Sequence, residues 1–141
     1  MPVDTDVIAY LAAQGSLGLT GGTNLFEGPP PEELSTDPEV AITNTGSEPS
    51  DEYVMGASLT PPGFEVEDIQ VMVRSATKGT AQSLAAAIHA FLDNLGPVVN
   101  FAGTGRTYFH IRSDGPPWNF FQDKNQKWRY VASYHVAKAR G

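Results

Sequence analysis

The chain has 141 residues, 40% of them hydrophobic and 18% charged, which suits one buried core and is too short for two. It contains no cysteine, so disulfides and thiolate metal sites are excluded. The net charge is -7 but unevenly spread, with 13 acids and no Lys or Arg before residue 74 and nine bases against three acids from residue 74 onward; this is an argument about association and weighs against nucleic-acid affinity.

No apolar run approaches the length of a transmembrane helix. The first charges are Asp4 and Asp6, not the basic start of a signal peptide, so a soluble protein made in a cytosol is expected. Val3, Val7, Ile8 and Leu11 fall at helical spacing and predict a short amphipathic helix capped by Asp4 or Thr5 and ended by Gln14-Gly15. Leu17 to Gly22 reads as a glycine-rich turn, and Thr23 to Glu27 as a brief strand closed by Gly28 and the prolines at 29–31, which forbid a central strand there. Glu39 to Asn44 alternates Val40 and Ile42 against Ala41 and Thr43, a second strand expected to pair with the third. Residues 45–63 hold Pro49, Pro61, Pro62 and few apolar anchors, and are read as a long loop or arm that can lie on a neighbouring subunit.

The organising stretch runs from Phe64 to Gly96. Ile69, Val71 and Val73 alternate with Gln70, Met72 and Arg74, the period of a half-buried strand. With Thr77 or Thr80 as cap, Ala81, Leu84, Ala85, Ile88, Phe91, Leu92 and Leu95 then form one apolar stripe over Thr80 to Leu95, and Gly96-Pro97 is the stop. Val98, Val99 and Phe101 suggest a strand that turns at Gly103-Thr104-Gly105 into Thr107 to Arg112, with Phe109 and Ile111 on one face and Tyr108 and His110 on the other. Asp114 to Pro117 breaks this hairpin, WNFFQ forms a further extended piece, and Asp123 to Gln126 is a turn. The last strand, Trp128 to Ala137, places Trp128, Tyr130, Ala132, Tyr134 and Val136 on one face, and the tail from Lys138 is expected to fray. The fold class is α+β: a mixed, mainly antiparallel sheet in one domain over residues 1–141, with one long helix packed on one face and a short N-terminal helix.

Chemistry is sparse. The Gly-rich stretches Thr20 to Thr23 and Gly103 to Arg106 lack the Lys-Ser/Thr of a phosphate loop and are better read as turns. His89, His110 and His135 sit on separate elements without a second ligand at metal spacing, and Ser83 and Ser133 lie in no nucleophile-elbow context. Aromatics interleaved with bases from Tyr108 to Tyr134 can stack bases in principle, but strand alternation sends many of them inward. No enzyme, cofactor or metal is indicated.

The order GTNLFEGPPP, VAITNTG, IQVMVRS running into AQSLAAAIHAFL, and QDKNQKWRY before a closing aromatic strand resembles the minor capsid or tail terminator proteins of long-tailed bacteriophages over nearly the whole chain. The most specific piece is the strand with Gln70 and Arg74 that leads into the alanine-rich helix. The resemblance implies a structural virion protein of the tail or neck, made in the host cytoplasm. It would form a homo-oligomeric ring, a hexamer, that caps the tail tube, ends tube polymerisation and joins the tail to the head connector. Its partners would be its own copies, the tail tube protein and the head-tail connector protein, with DNA passing through the lumen without specific binding and no membrane contact. A head-completion or neck connector protein and a monomeric binding module are the alternative readings. A ring needs head-to-tail contacts, and the charge asymmetry names candidates for them: Arg106, Arg112, Lys124, Lys127 and Arg129, opposite Glu32, Glu33, Asp51, Glu52, Glu65, Glu67 and Asp68.

Overall fold

The computed structural model describes residues 3–28, 37–48, 64–97, 101–103, 107–122 and 127–139. Along the chain come α1 (Val3–Ala12), β1 (Leu25–Glu27), β2 (Glu39–Glu48), β3 (Phe64–Ser75), α2 (Lys78–Leu92), β4 (Tyr108–Ser113), β5 (Trp118–Gln122) and β6 (Trp128–Ala139). The six strands form one sheet in the order β1-β2-β3-β6-β4, with β5 also paired to β6. Among the described residues β1 pairs with β2 in parallel, and the other strand pairs are antiparallel. The α+β class read from the two hydrophobic periods is therefore the class observed.

Alternation in the three long strands selects one face for burial. Val40 and Ile42 of β2, Ile69, Val71 and Val73 of β3, and Tyr130, Ala132, Tyr134 and Val136 of β6 all enter one core with the helices. The apolar stripe of α2 covers β3 and β6 through Ala81, Ala85, Ile88 and Leu92, while Leu84 and Phe91 are half-buried at its margins. Val3, Val7 and Leu11 of α1 cover the β1 and β2 end. Such burial contributes roughly 25 cal/mol per Å² of apolar surface, an upper bound when the unfolded chain is taken as extended.

Several local expectations are corrected. α2 starts at Lys78, with Thr77 at its N-cap but making no side-chain cap bond, and it ends at Leu92 rather than Leu95. Asn94 there adopts a left-handed φ of 59°, a conformation short polar residues tolerate and one that ends a helix before the Gly-Pro stop is reached. Leu95 then bridges Ile111 through two backbone hydrogen bonds of 3.1 and 3.2 Å. β2 continues past Asn44 to Glu48, across an irregularity at Asn44 to Gly46, because β3 is long enough to pair with it. The expected arm therefore loses residues 45–48 to the sheet, and the rest of it, 49–63, lies outside the described residues.

Phe101 is not in a strand but in a short 3-10 turn, Phe101–Gly103, where its ring stacks between Tyr10 and Tyr108 at centroid distances of 4.8 and 4.2 Å. β4 pairs along its length with β6 and touches the chain before it at the Leu95–Ile111 bridge, while residues 98–100 of the expected strand lie outside the described residues. The facing of β4 also differs from strict alternation. A register shift between Tyr108 and His110 turns both Tyr108 and Ile111 into the core and leaves Phe109 exposed, since one extra residue in a strand reverses the facing beyond it. Lys138 does not fray: it is 1% exposed within β6, with its ammonium 3.8 Å from Glu67.

Candidate assembly surfaces

Functional geometry collects at the two ends of the sheet and on the face turned away from the helices. β6 is flanked by β3 on one side, and its other side is shared end to end by β4 and β5. At the junction Asp114 N–H still donates to Ser133 O at 3.0 Å. Gly115-Pro116-Pro117 then leave the ladder, as two residues without an N–H must. Pairing resumes with Trp118 opposite Val131.

Because Tyr130 and Ala132 of β6 point into the core, Arg129 and Val131 point to the opposite face, and Trp118 shares that face by register. Trp118 and Phe120 are 50% and 42% exposed. Their rings meet edge to face at 5.0 Å, and the Arg129 guanidinium lies 4.7 Å from the Phe120 centroid. This is a braced aromatic and cationic platform on a sheet edge, stabilised by ring quadrupoles.

At the far edge, β1 is short, and the Gly21–Gly22 turn folds beside it: Gly22 N–H donates to Leu25 O at 2.9 Å. Between this turn, α1 and β1 lies a groove of about 480 Å³ lined by Ile8, Gly21, Gly22, Leu25, Phe26 and Glu27, with Thr5 at its rim. Its polarity is acidic. Thr5 Oγ1–H donates to the exposed Glu27 carboxylate at 2.8 Å, and the neighbouring Asp4 carboxyl is pushed up first by burial and then by Glu27.

On the outward face His135 stands between Asp68 of β3 and Asp114 of the break, with each ring nitrogen 2.5 Å from a carboxylate oxygen. Two carboxylates this close favour the protonated ring, both of whose nitrogens can donate. Partial burial alone would lower its pKa, but the two carboxylates more than offset this and hold it above the ordinary range. Sequence spacing concealed this cluster, because its members come from three elements; the signal available was that Asp68 and His135 are polar positions on the non-core faces of two adjacent strands. Other polar pairs are structural. Arg74 meets Glu39 at 2.6 Å with both side chains buried, Tyr108 O–H donates to Asp6 at 2.5 Å, and Asn44 donates to Glu67 at 2.6 Å. His89 faces Tyr134 Oη at 3.1 Å and Asp93 at 3.6 Å, while Asp93 accepts from Ser113. Among the described residues no cluster of His, Asp and Glu is arranged to hold a metal, and no helix is long and apolar enough to cross a membrane.

Of the charge candidates, Arg112 is exposed on β4 and Lys127 and Arg129 are half-buried at the start of β6. Asp68, His135 and Arg112 lie in one cross-strand row, and Glu67 contacts Lys138, so these opposite charges are neighbours within one subunit. Glu65 sits on β3 opposite Lys138. Arg106, Lys124, Glu32, Glu33, Asp51 and Glu52 lie outside the described residues. Glu27, not among the candidates, is the acid at the β1 edge.

Residues 30–140 match the family described as bacteriophage tail terminator protein, and the chain belongs to this family, a structural part of the phage tail and a virion component. No curated protein matches the sequence. Among solved structures it is similar in fold to a chain in the virion of a native gene transfer agent particle, with 17% identity and a TM-score of 0.62 over 98% of this chain and 95% of that one.

Proposed function

We propose that this protein closes into a ring of six copies at the end of the tail tube nearest the head, halts tube polymerisation there and offers its free surface to the head connector. The observation that carries this reading is the family match over residues 30–140. A sheet whose two edges differ in shape and charge supports it, because a closed ring joins one surface of each subunit to a different surface of the next. The partners are then its own copies, the tail tube protein and the connector protein. DNA crosses the lumen without specific contacts, in keeping with a net charge of -7.

The test is a deletion in the parent phage. Overlong or headless tails are expected, and ring-shaped particles should be visible when the purified protein is imaged with and without tail tubes. Normal tail lengths with normal head joining would refute the proposal. Normal tail lengths with unjoined heads would instead identify a head-completion protein.

A further inference from the structure

The register of the sheet places a residue from each end on one line. Phe26 pairs with Ala41, Ala41 with Met72, Met72 with Val131, and Val131 with Trp118. The row therefore crosses the sheet from Phe26, which also lines the groove beside β1, to Trp118 of the aromatic platform on β5. We propose that Trp118 and Phe120 of one copy seat in the β1-edge groove of the next copy, against Ile8, Leu25 and Phe26, so that the row continues from subunit to subunit. The proposal deepens the ring reading and rests on it for the supposition that like copies stand side by side.

Three features favour a second copy as the occupant. First, the contact is heterologous: a shift along one cross-sheet line brings one end of the row to the other end of its neighbour, as ring closure needs. Second, the two ends are complementary in charge, with Arg129 at the platform and Glu27 at the groove. Third, an exposed Trp-Phe pair braced by Arg is the residue set that anchors interfaces, and the 480 Å³ groove has an apolar lining to receive it. The Gly22 bond to Leu25 occupies part of the β1 edge, which favours docking by side chains over extension of the sheet.

The absence of native cysteine makes the contact directly readable. In a Phe26→Cys/Trp118→Cys variant the two thiols of one chain are separated by four strand spacings, about 19 Å at roughly 4.8 Å each. A disulfide requires Cα atoms within about 7 Å, so any bond between them joins two copies. Oxidised tails carrying the double variant should give a ladder beyond the dimer on a non-reducing gel, whereas each single variant should stop at the dimer. Photo-crosslinking from p-benzoylphenylalanine at position 118, which keeps an aromatic anchor there, should label residues 5–28 of a differently isotope-labelled copy. Trp118→Ala/Phe120→Ala should weaken self-association at least about tenfold while circular dichroism stays that of the folded sheet. No ladder beyond the dimer, or photo-crosslinks mapping elsewhere, would overturn the contact even if deletion gives overlong tails. A ladder with normal tails in the deletion strain would uphold the contact and refute the ring's role at the tube end.

Discussion

Ile88→Ala tests the packing of α2 on the sheet most directly, because Ile88 is 0% exposed on the helix face that covers the two longest strands. The change removes about three carbon groups, worth roughly 2.4 kcal/mol at about 0.8 kcal/mol each. If the space stays partly open, a residual cavity adds about 24 cal/mol per Å³, so a total of roughly 2–4 kcal/mol is expected. For 141 residues the unfolding entropy near the midpoint is about 0.3 kcal/mol/K, from about 2.1 cal/mol/K per residue, so Tm should fall by roughly 7–13 °C. Leu84→Ala provides the internal control. Leu84 is only half-buried at the edge of the core, and its loss should cost about 1 kcal/mol, well below the usual cost at a fully buried site. Urea unfolding of both variants, with unchanged m-values, separates them. Equal losses for the two, or a neutral Ile88→Ala, would refute the assignment of the helix face.

The buried Arg74–Glu39 pair should behave as a unit: Arg74→Met alone is expected to cost about 3–5 kcal/mol in chemical denaturation, while Glu39→Leu/Arg74→Met should lie close to wild type. A His135 pKa raised by Asp68 and Asp114 stabilises the fold fully below the unfolded value near 6.5, and this contribution is lost as pH rises through the folded pKa. NMR titration should therefore show the ring titrating above the ordinary imidazole range, and Asp68→Asn/Asp114→Asn should lower it; an unmoved midpoint would show that the clasp does not exist in solution. Reversing Arg112 and Arg129 together to Glu should slow ring formation and flatten its dependence on salt, because exposed charge pairs chiefly set association rates and are screened near 1 M. Ring counts by electron microscopy across a salt series decide this, and equal assembly with and without the reversals would remove charge from the mechanism.

Periodicity in the sequence determined the elements whose register is local. Ile69, Val71 and Val73 at period two and Ala81, Ala85, Ile88 and Leu92 at helical spacing each reveal a buried face, because neighbouring residues on one element share a geometry fixed by its backbone. The α+β class followed from those two periods, and the family resemblance was legible from the order of the same pieces. What the sequence did not reveal depends on pairing between distant strands. The extra residue at Phe109 reverses the facing of β4 only because β6 sets its register. Lys138 is buried because Glu67 stands beside it on the neighbouring strand, and the Asp68, His135 and Asp114 cluster exists only where β3, β6 and the β4–β5 break converge. The line from Phe26 to Trp118 is likewise a product of four registers taken together. Local spacing carries no information about such registers, since each is settled by which strand's core face meets which, and that choice is made by tertiary packing.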